Sequence, residues 1–183
     1  MAAIVGAVFA VKAVSGGGGS GASFLGNGGK VQRVRPNPVI VESAGKISVK
    51  FDAMPGSKVN LRDGMGGPIV ETLDLDTAVE FELSNSSSNP SETVIEAADG
   101  TYLTTVVLPG SVKQDVPTGN GTVLDCAKAI SAQFGVAVHI EGKPGDPADW
   151  SISGTNPVTS VTAKFQDKNA SVVKLSDKLY RIR

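Results

Sequence analysis

The chain has 183 residues, of which 17 are basic and 18 acidic, so its formal net charge at pH 7 is −1. This balance argues against nucleic acid as the main partner, because proteins that bind nucleic acid usually carry an excess or a stripe of basic residues. Charged residues make up 19% of the chain and aromatic residues 5%, while glycine occurs 22 times and proline 10 times. Such a composition favours a turn-rich β protein over a helical bundle, in one large domain or two small ones.

The first fourteen residues form an apolar stretch, with the sequence AAIVGAVFAVKAV after Met1. Its β-branched residues favour an extended strand. Lys12 interrupts the stretch and no basic segment precedes it, and about 13 residues are too few to cross a bilayer as a helix. A degenerate export signal or a membrane-surface segment is the alternative interpretation. An uncovered apolar strand invites pairing at a sheet edge, so we expect an assembly arm. The apolar positions assigned to this arm are Ile4, Val5, Val8, Phe9, Val11 and Val14.

The arm is followed by the segment 15–21, SGGGGSG, which has the composition of a flexible linker. Gly26, Gly28 and Gly29 continue this composition. A phosphate-binding glycine loop would lie between a strand and a helix and would usually contain a lysine followed by serine or threonine. No helical pattern follows these glycines, so nucleotide binding is not indicated. Residues 1–35 are therefore predicted to be an extended apolar arm and a Gly-rich linker.

Residues 36–110 have the pattern of an antiparallel β-sandwich. Short segments of alternating apolar and polar residues recur between turns rich in Gly, Pro, Asn and Asp. In the segment 46–51, for example, Ile47, Val49 and Phe51 alternate with polar residues. Seven strands over about 75 residues fit an immunoglobulin-like architecture, although the chain lacks a Cys…Trp…Cys core. The strands are predicted at 38–42, 46–51, 58–62, 69–75, 78–83, 93–97 and 101–108.

The segment 122–135, TVLDCAKAISAQFG, has the pattern of an amphipathic helix with both ends marked. Thr122 is a good N-cap, and Asp125, three residues later, completes a pattern related to the capping box. Gly135 lies where a glycine would end the helix. Apolar residues recur at spacings of four, three and four, so they share one face. These helix-core residues are Val123, Ala127, Ile130 and Phe134.

The remainder of the chain predicts a small α+β module over residues 111–183. The stretch 110–121, which is rich in Pro, Gly and Asn, is predicted to be a connector ahead of the helix. Alternating apolar residues directly after the helix predict a strand at 136–140. The helix would pack against three or four of the strands that follow, and the last two strands of the module are joined in a hairpin at Ser176 and Asp177. The predicted fold class is mainly β, or α+β: an immunoglobulin-like antiparallel β-sandwich, then this one-helix module, with an extended N-terminal arm. The further strands are predicted at 150–152, 158–165, 170–175 and 178–182.

The segment 122–138, with the pattern TVL…A…I…FGV…V, resembles the helix-strand unit of the small N-terminal domains of secretins and TonB-dependent receptors. It also resembles a segment of tail-hub proteins of contractile bacteriophages. In those families an apolar helix that ends in glycine leads to a short strand, and a terminal hairpin often follows. The resemblance covers about a third of the chain and implies a module of an envelope complex or of a virion.

Cys126 and His139 are the only cysteine and the only histidine in the chain. Cys126 lies on the apolar face of the predicted helix, where a free cysteine is usually a small core residue. A catalytic thiol needs a base, and His139 alternates with Val138 and Ile140, so it should point away from their face. A single histidine without a thiolate pair also makes a zinc site a poor interpretation. No catalytic residue, cofactor or metal site is therefore predicted.

Two groups of acidic residues are candidate ion sites. Asp74, Asp76 and Glu80 lie within or beside strands and lack the twelve-residue loop and turn glycine of a calcium site, so paired surface acids are the preferred interpretation. Asp146 and Asp149 lie near the Pro144-Gly145 turn and could close a loop ion site, which is the weaker alternative.

These observations predict a non-enzymatic structural component of a macromolecular assembly. The expected setting is a bacteriophage virion, in a capsid accessory, tail or baseplate role, with the arm adding a strand to a neighbouring sheet. The expected partners are copies of the chain and other virion proteins, with no small-molecule substrate and no membrane span. The alternative is a cell-envelope or surface module, secretin-associated or binding carbohydrate or protein, located in the bacterial envelope or outside the cell.

Overall fold

The computed structural model describes residues 11–13, 34–116, 118–166 and 168–183, and for residues 11–13 it describes the backbone. Within these ranges the chain forms fifteen strands and two helices. The first eight strands are β1 (Val11–Ala13), β2 (Val39–Ser43), β3 (Lys46–Phe51), β4 (Lys58–Asp63), β5 (Ile69–Asp74), β6 (Val79–Leu83), β7 (Ser91–Ala97) and β8 (Tyr102–Leu108). The remaining elements are β9 (Thr118–Thr122), α1 (Val123–Phe134), β10 (Ala137–Ile140), β11 (Pro147–Ile152), α2 (Pro157–Ser160), β12 (Val161–Phe165), β13 (Lys168–Asn169), β14 (Val172–Lys174) and β15 (Leu179–Ile182).

Strands β2 to β8 form a sandwich of antiparallel strand pairs. One sheet has the order β1-β6-β3-β2, and it packs against β5-β4-β7-β8 of a second sheet. This arrangement confirms the predicted sandwich, and its strand limits agree with the predicted ones within two residues. Apolar residues that alternate along the strands meet in one cluster, which we call the sandwich core. It comprises Ile40, Ile47, Val49, Phe51, Val59, Leu61, Leu73, Leu75, Phe81, Leu83, Ile95, Val106, Leu108, Ala137 and Leu179.

The second sheet continues beyond the sandwich. Strand β8 pairs antiparallel with β10, β10 pairs parallel with β15, and β15 pairs antiparallel with β14. The sheet therefore has seven strands, in the order β14-β15-β10-β8-β7-β4-β5. Its hydrogen bonds run across the division between modules that was predicted at residue 110, and the terminal hairpin predicted near residue 176 is its outermost pair.

The middle of this seven-stranded sheet is buried on both faces. In β8, Val106 and Leu108 belong to the sandwich core, whereas Val107 between them belongs to a second cluster. Strands covered on both sides tend to be continuous apolar runs, as these three residues are. We call the second cluster the helix-side core. It comprises Val107, Val123, Cys126, Ala127, Ala129, Ile130, Val136, Val138, Ile140, Ala148, Trp150, Ile152, Ala163, Tyr180 and Ile182.

Helix α1 has both of the predicted caps. The Thr122 side chain accepts a hydrogen bond from the Asp125 N–H at 3.2 Å, and the Asp125 carboxylate accepts one from the Thr122 N–H at 2.9 Å. This is a complete capping box, and a cap of this kind contributes about 1 kcal/mol. Gly135 ends the helix in the left-handed conformation, with φ at 67°, and its N–H donates to the Ser131 carbonyl at 2.9 Å. The helix contacts β8 and β10 of the seven-stranded sheet and β9 and β11 of a third sheet.

A third sheet has the strand order β13-β12-β11-β9. The number of strands predicted for residues 111–183 is therefore wrong. Within the described residues seven strands follow residue 111, and one of them, β9, lies in the stretch 110–121 that is predicted to be a connector. Glycine and asparagine, which are frequent in this stretch, are rare in strands. In the structure, Gly119 of β9 lies opposite Trp150 of β11. A Cβ atom at Gly119 would lie 2.3 Å from Cζ2 of the Trp150 ring, so glycine is required by close contact with the indole.

Helix α2 also differs from the prediction, which placed a strand at 158–165. The Asn156 side chain accepts a hydrogen bond from the Val158 N–H at 2.9 Å, and Pro157 stands at the first helical position. Proline is well suited to this position because its missing N–H would be unpaired there anyway. The one-turn helix therefore replaces the first part of the predicted strand. The observed strand, β12, begins at Val161.

Candidate assembly interface

The outer edge of β6 carries a strand from the predicted N-terminal arm. Strand β1 pairs antiparallel with β6, with Val11 opposite Phe81, Lys12 opposite Glu80 and Ala13 opposite Val79. The first sheet thereby gains a fourth strand from a segment far away in the sequence. The other arm positions, Ile4, Val5, Val8, Phe9 and Val14, lie outside the described residues.

The two faces of β6 differ in character. Phe81 and Leu83 are buried in the sandwich core. Glu80 and Glu82 lie on the opposite face, where they form ion pairs with Lys50 at 3.3 Å and Lys46 at 2.8 Å on β3. These pairs are largely solvent-exposed, so each is worth at most about 1 kcal/mol. They make one face of this edge charged and the other apolar.

The sequence of β1 matches this division of faces. Directly opposite residues of an antiparallel pair lie on the same face of a sheet. Positions 11 and 13 therefore lie on the apolar face with Phe81 and Val79, and position 12 lies on the charged face with Glu80. The residues at these positions are valine, alanine and lysine. The apolar–basic–apolar order thus complements the apolar–acidic–apolar order of β6.

A second exposed feature lies at the other edge of the sandwich, on β5. Ile69 and Val70 are each 47% exposed, and Met65 in the preceding turn is 52% exposed. Neighbouring apolar residues on an edge strand are unusual because such edges favour unwanted pairing. The sequence interpretation did not single them out, although two adjacent apolar residues break the period-two alternation. The ladder between β4 and β5 has a register shift at this point, next to Arg62.

Glu92 of β7 connects the sandwich to helix α1. Its carboxylate accepts a hydrogen bond from the Met65 N–H at 2.8 Å and forms an ion pair with Lys128 of the helix. The Glu92 side chain is only 11% exposed. One side chain therefore joins the β4–β5 turn, β7 and α1 on the helix-side face of the sheet. The sequence carries no pattern that would pair these distant positions.

Cys126 is a core residue, as predicted. Its side chain is fully buried in the helix-side core. Burial, with a smaller contribution from Asp125, raises the pKa of the Cys126 thiol to about 12. The thiol is therefore protonated at neutral pH, and the thiolate needed for nucleophilic attack is not formed.

His139 faces away from Cys126 across the seven-stranded sheet. Val138 and Ile140 pack with Cys126 in the helix-side core, so the alternating His139 side chain lies on the other face, as predicted. Its Nε2 is 2.8 Å from the hydroxyl oxygen of Thr104. Burial lowers the pKa of His139, the nearby Arg181 lowers it further, and Glu141 opposes them. The imidazole is neutral at pH 7 and serves as a hydrogen-bonding group.

The acidic residues considered as a calcium site have separate partners. Asp74 pairs with Lys58 at 2.9 Å and Glu80 pairs with Lys50. The Asp76 carboxylate accepts a hydrogen bond from the Gly56 N–H at 2.8 Å. Among the described residues, no three His, Cys, Asp or Glu side chains come together in a way that could hold a metal ion.

The two acids considered as a loop ion site have different surroundings. The backbone carbonyl of Asp146 accepts a hydrogen bond from the Val123 N–H at the start of α1, at 2.9 Å. Asp149 lies in the middle of the third sheet, opposite Asn120 and Lys164 in register. It lines an open depression of about 580 Å³ in which Lys164 supplies the opposite charge.

The helix-core residues lie where the amphipathic pattern put them. Val123, Ala127 and Ile130 are buried in the helix-side core, and Phe134 is half-buried against it. These residues position the third sheet and the helix on the seven-stranded sheet. Their role is to pack the helix against its neighbouring strands.

Comparison of the chain with protein families, with curated proteins and with solved structures gave no match. No helix in the described part of the chain is both long and apolar enough to cross a membrane.

Proposed function

We propose that this chain is a structural, non-enzymatic component of a macromolecular assembly, held to its neighbours by its N-terminal arm. The assembly we favour is a bacteriophage virion, with a capsid accessory, tail or baseplate role. Its partners would be copies of the chain and other virion proteins. The observation that carries this proposal is the position of β1, an arm strand at the open edge of a sandwich and separated by 25 residues from β2.

The composition between β1 and β2 supports an arm. Residues 14–38 include the segment SGGGGSG and three further glycines before residue 30. Gly/Ser-rich segments of this kind tether two elements without fixing the geometry between them. A strand that only completed its own sandwich would be served by a short connection, since most connections in compact domains have about 4–6 residues.

The side chains that could act in catalysis or metal binding have surroundings that support a structural role. The Cys126 thiol is buried and its pKa is raised. The His139 side chain lies on the other face of the seven-stranded sheet, where it is hydrogen-bonded to Thr104. Asp74 and Glu80 are each neutralised by a lysine from the adjacent strand. Each of these groups therefore has a role in packing, hydrogen bonding or surface charge.

The second candidate is a cell-envelope or surface-binding module. The exposed apolar side chains of Met65, Ile69 and Val70 favour it, because they offer a contact surface apart from the arm. The mass of the intact mature protein separates the two candidates. A mature chain that lacks the first residues indicates export, whereas a chain that retains the arm indicates assembly.

Deletion of residues 1–29 tests the proposed function. We expect the full-length chain to form a discrete assembly over a concentration series in light scattering, and the truncated chain to remain monomeric. The truncated chain should keep a cooperative thermal transition, because the sandwich core is built from residues after 39.

Deletion of residues 15–21 alone is the matched control. It removes seven residues but keeps the whole apolar arm, so assembly should persist. A chain without residues 1–29 that forms an assembly of the full-length size would contradict the proposal.

A further inference from the structure

We infer that the edge of β6 is an acceptor site for the 11–13 strand of a second copy of this chain. The arm of one copy would lie on β6 of its neighbour in the same register as β1 has within one chain. This inference rests on the proposed function and adds to it the acceptor edge, the donor segment and the register. It makes the arm an exchanged strand instead of a general adhesive segment.

The acceptor edge has the features of a strand-binding site. Within the described residues, β1 is the strand that pairs with the outer edge of β6. Its three residues lie opposite Val79 to Phe81, whereas β6 continues to Leu83. Main-chain hydrogen bonds would supply affinity, and the alternation of faces would supply selectivity. A donor must have apolar residues opposite Phe81 and Val79 and tolerate acidic Glu80 between them, which the sequence Val-Lys-Ala does.

The connection is long enough for exchange. The 25 residues between β1 and β2 can span at most roughly 80–90 Å when extended. A compact domain of about 150 residues has a radius of gyration of about 15 Å. The strand can therefore reach its own β6 or that of an adjacent copy, and the length of the chain does not decide between them.

Concentration decides between the two pairings. The hydrogen bonds and the opposed residues are the same within a chain and between chains, so the pairing itself favours neither state. A tether between two binding segments raises their effective concentration to about the millimolar range. This favours pairing within one chain in dilute solution. Copies held side by side in an assembly have a similar local concentration, and exchange then links each copy to the next.

Site-directed crosslinking of the full-length chain tests the inference. One copy carries Lys12→Cys and a second, labelled with a heavy nitrogen isotope, carries Glu80→Cys. Opposed residues in an antiparallel pair have Cβ atoms about 4.5–5.5 Å apart, within reach of a short bismaleimide. The native Cys126 is fully buried and stays in both copies, so the unsubstituted chain is the reagent control.

The matched control pairs Lys12→Cys with Ser43→Cys, an exposed position on β2 at the opposite edge of the same sheet. We expect mass spectrometry of the assembled fraction to show crosslinked dimers of one labelled and one unlabelled copy when Lys12→Cys is mixed with Glu80→Cys. When Lys12→Cys is mixed with Ser43→Cys, these crosslinked dimers should be absent. Equal yields with both partners would overturn the inference, because crosslinking would then reflect random collision.

The chain with both Lys12→Cys and Glu80→Cys separates failure of the inference from failure of the proposed function. An assembled fraction in which this variant crosslinks only within one chain overturns strand exchange and leaves the assembly role in place. A chain that stays monomeric at every concentration and crosslinks only internally overturns both.

Discussion

The two faces of the seven-stranded sheet carry cores of different composition. The sandwich core consists almost entirely of Val, Leu, Ile and Phe from alternating strand positions. The helix-side core contains several small residues, among them Ala127, Ala129 and Cys126 of α1, together with Trp150. Two facing sheets pack about 10 Å apart with large side chains between them. On the other face, the small side chains of the helix lie in the core, and Gly119 is in close contact with the indole of Trp150.

This difference in composition shows that the two cores are specified by different features of the sequence. Alternation along strands is enough to define the sandwich core, because each strand puts its large residues on one side. The helix-side core depends in addition on single small residues whose contacts lie far away in the sequence. Both cores share β8, where Val106 and Val107 face opposite ways. We therefore expect the two cores to unfold together.

The largest expected effects come from matched truncations in the two cores. Leu61 in the sandwich core and Ile130 in the helix-side core are both fully buried. Leu61→Ala and Ile130→Ala should each lower the free energy of unfolding by about 2–5 kcal/mol, since each removes buried methyl groups and leaves a cavity. Urea unfolding followed by tryptophan fluorescence and by far-UV circular dichroism measures the loss.

The midpoints of the two spectroscopic transitions show whether the two cores unfold together. Trp150 reports on the helix-side core, whereas circular dichroism reports on all strands. If the shared sheet couples the cores, the two signals coincide in both variants. A Leu61→Ala chain whose fluorescence transition stays at the unsubstituted midpoint while its circular dichroism transition moves would show that the cores unfold independently.

An intermediate effect is expected at Gly119. A Cβ atom there would lie 2.3 Å from Trp150, so Gly119→Ala should cost about 1–3 kcal/mol through overpacking. The control is Gly145→Ala, because a Cβ at Gly145 meets no atom within 4 Å. Thermal melts of both variants test this difference, and equal melting temperatures would contradict a close-packing role for Gly119.

The smallest effect concerns His139 and depends on pH. Its pKa is lowered in the folded chain by burial and by Arg181, against the opposing charge of Glu141. Between this lowered pKa and about 6.5, the unfolded chain binds more protons than the folded chain, so stability falls as pH falls through that window. At pH 7 and above, the contribution of the neutral imidazole is fully present.

The substitution His139→Gln isolates this dependence. The difference in unfolding free energy between the unsubstituted chain and the variant should shrink as pH drops below about 6.5. Carboxylates titrate in both chains and cancel in the difference. A difference that stays constant from pH 7.5 to pH 5 would show that folding does not perturb the histidine.

Local patterns in the chain predict much of this structure. The strands of the sandwich follow from alternation such as that of Ile47, Val49 and Phe51, and helix α1 follows from Thr122 and Gly135 at its ends. These features depend on neighbours a few residues away, which a sequence displays directly. The burial of Cys126 and the opposite orientation of His139 follow from the same periodicities.

Contacts between distant segments could not be predicted in this way. The segment of strand β9 has the composition of a connector, because Gly and Asn are poor strand formers. The requirement for Gly119 is explained only by its contact with Trp150. The ion pair of Glu92 with Lys128 and the pairing of β1 with β6 join residues with no common pattern. The proposed acceptor edge on β6 was missed for the same reason, since its own sequence is that of an ordinary alternating strand.

Local periodicity and end signals are enough to establish that this chain is mainly β, where most of its strands lie, and that a capped helix begins near residue 122. Three features depend on contacts between distant segments: one sheet passes through both halves of the chain, its two faces carry separate cores, and the arm strand lies on the edge of β6. The physical reason is that strand pairing satisfies backbone groups of segments tens of residues apart, and the choice of partner depends on which edges the rest of the fold leaves open.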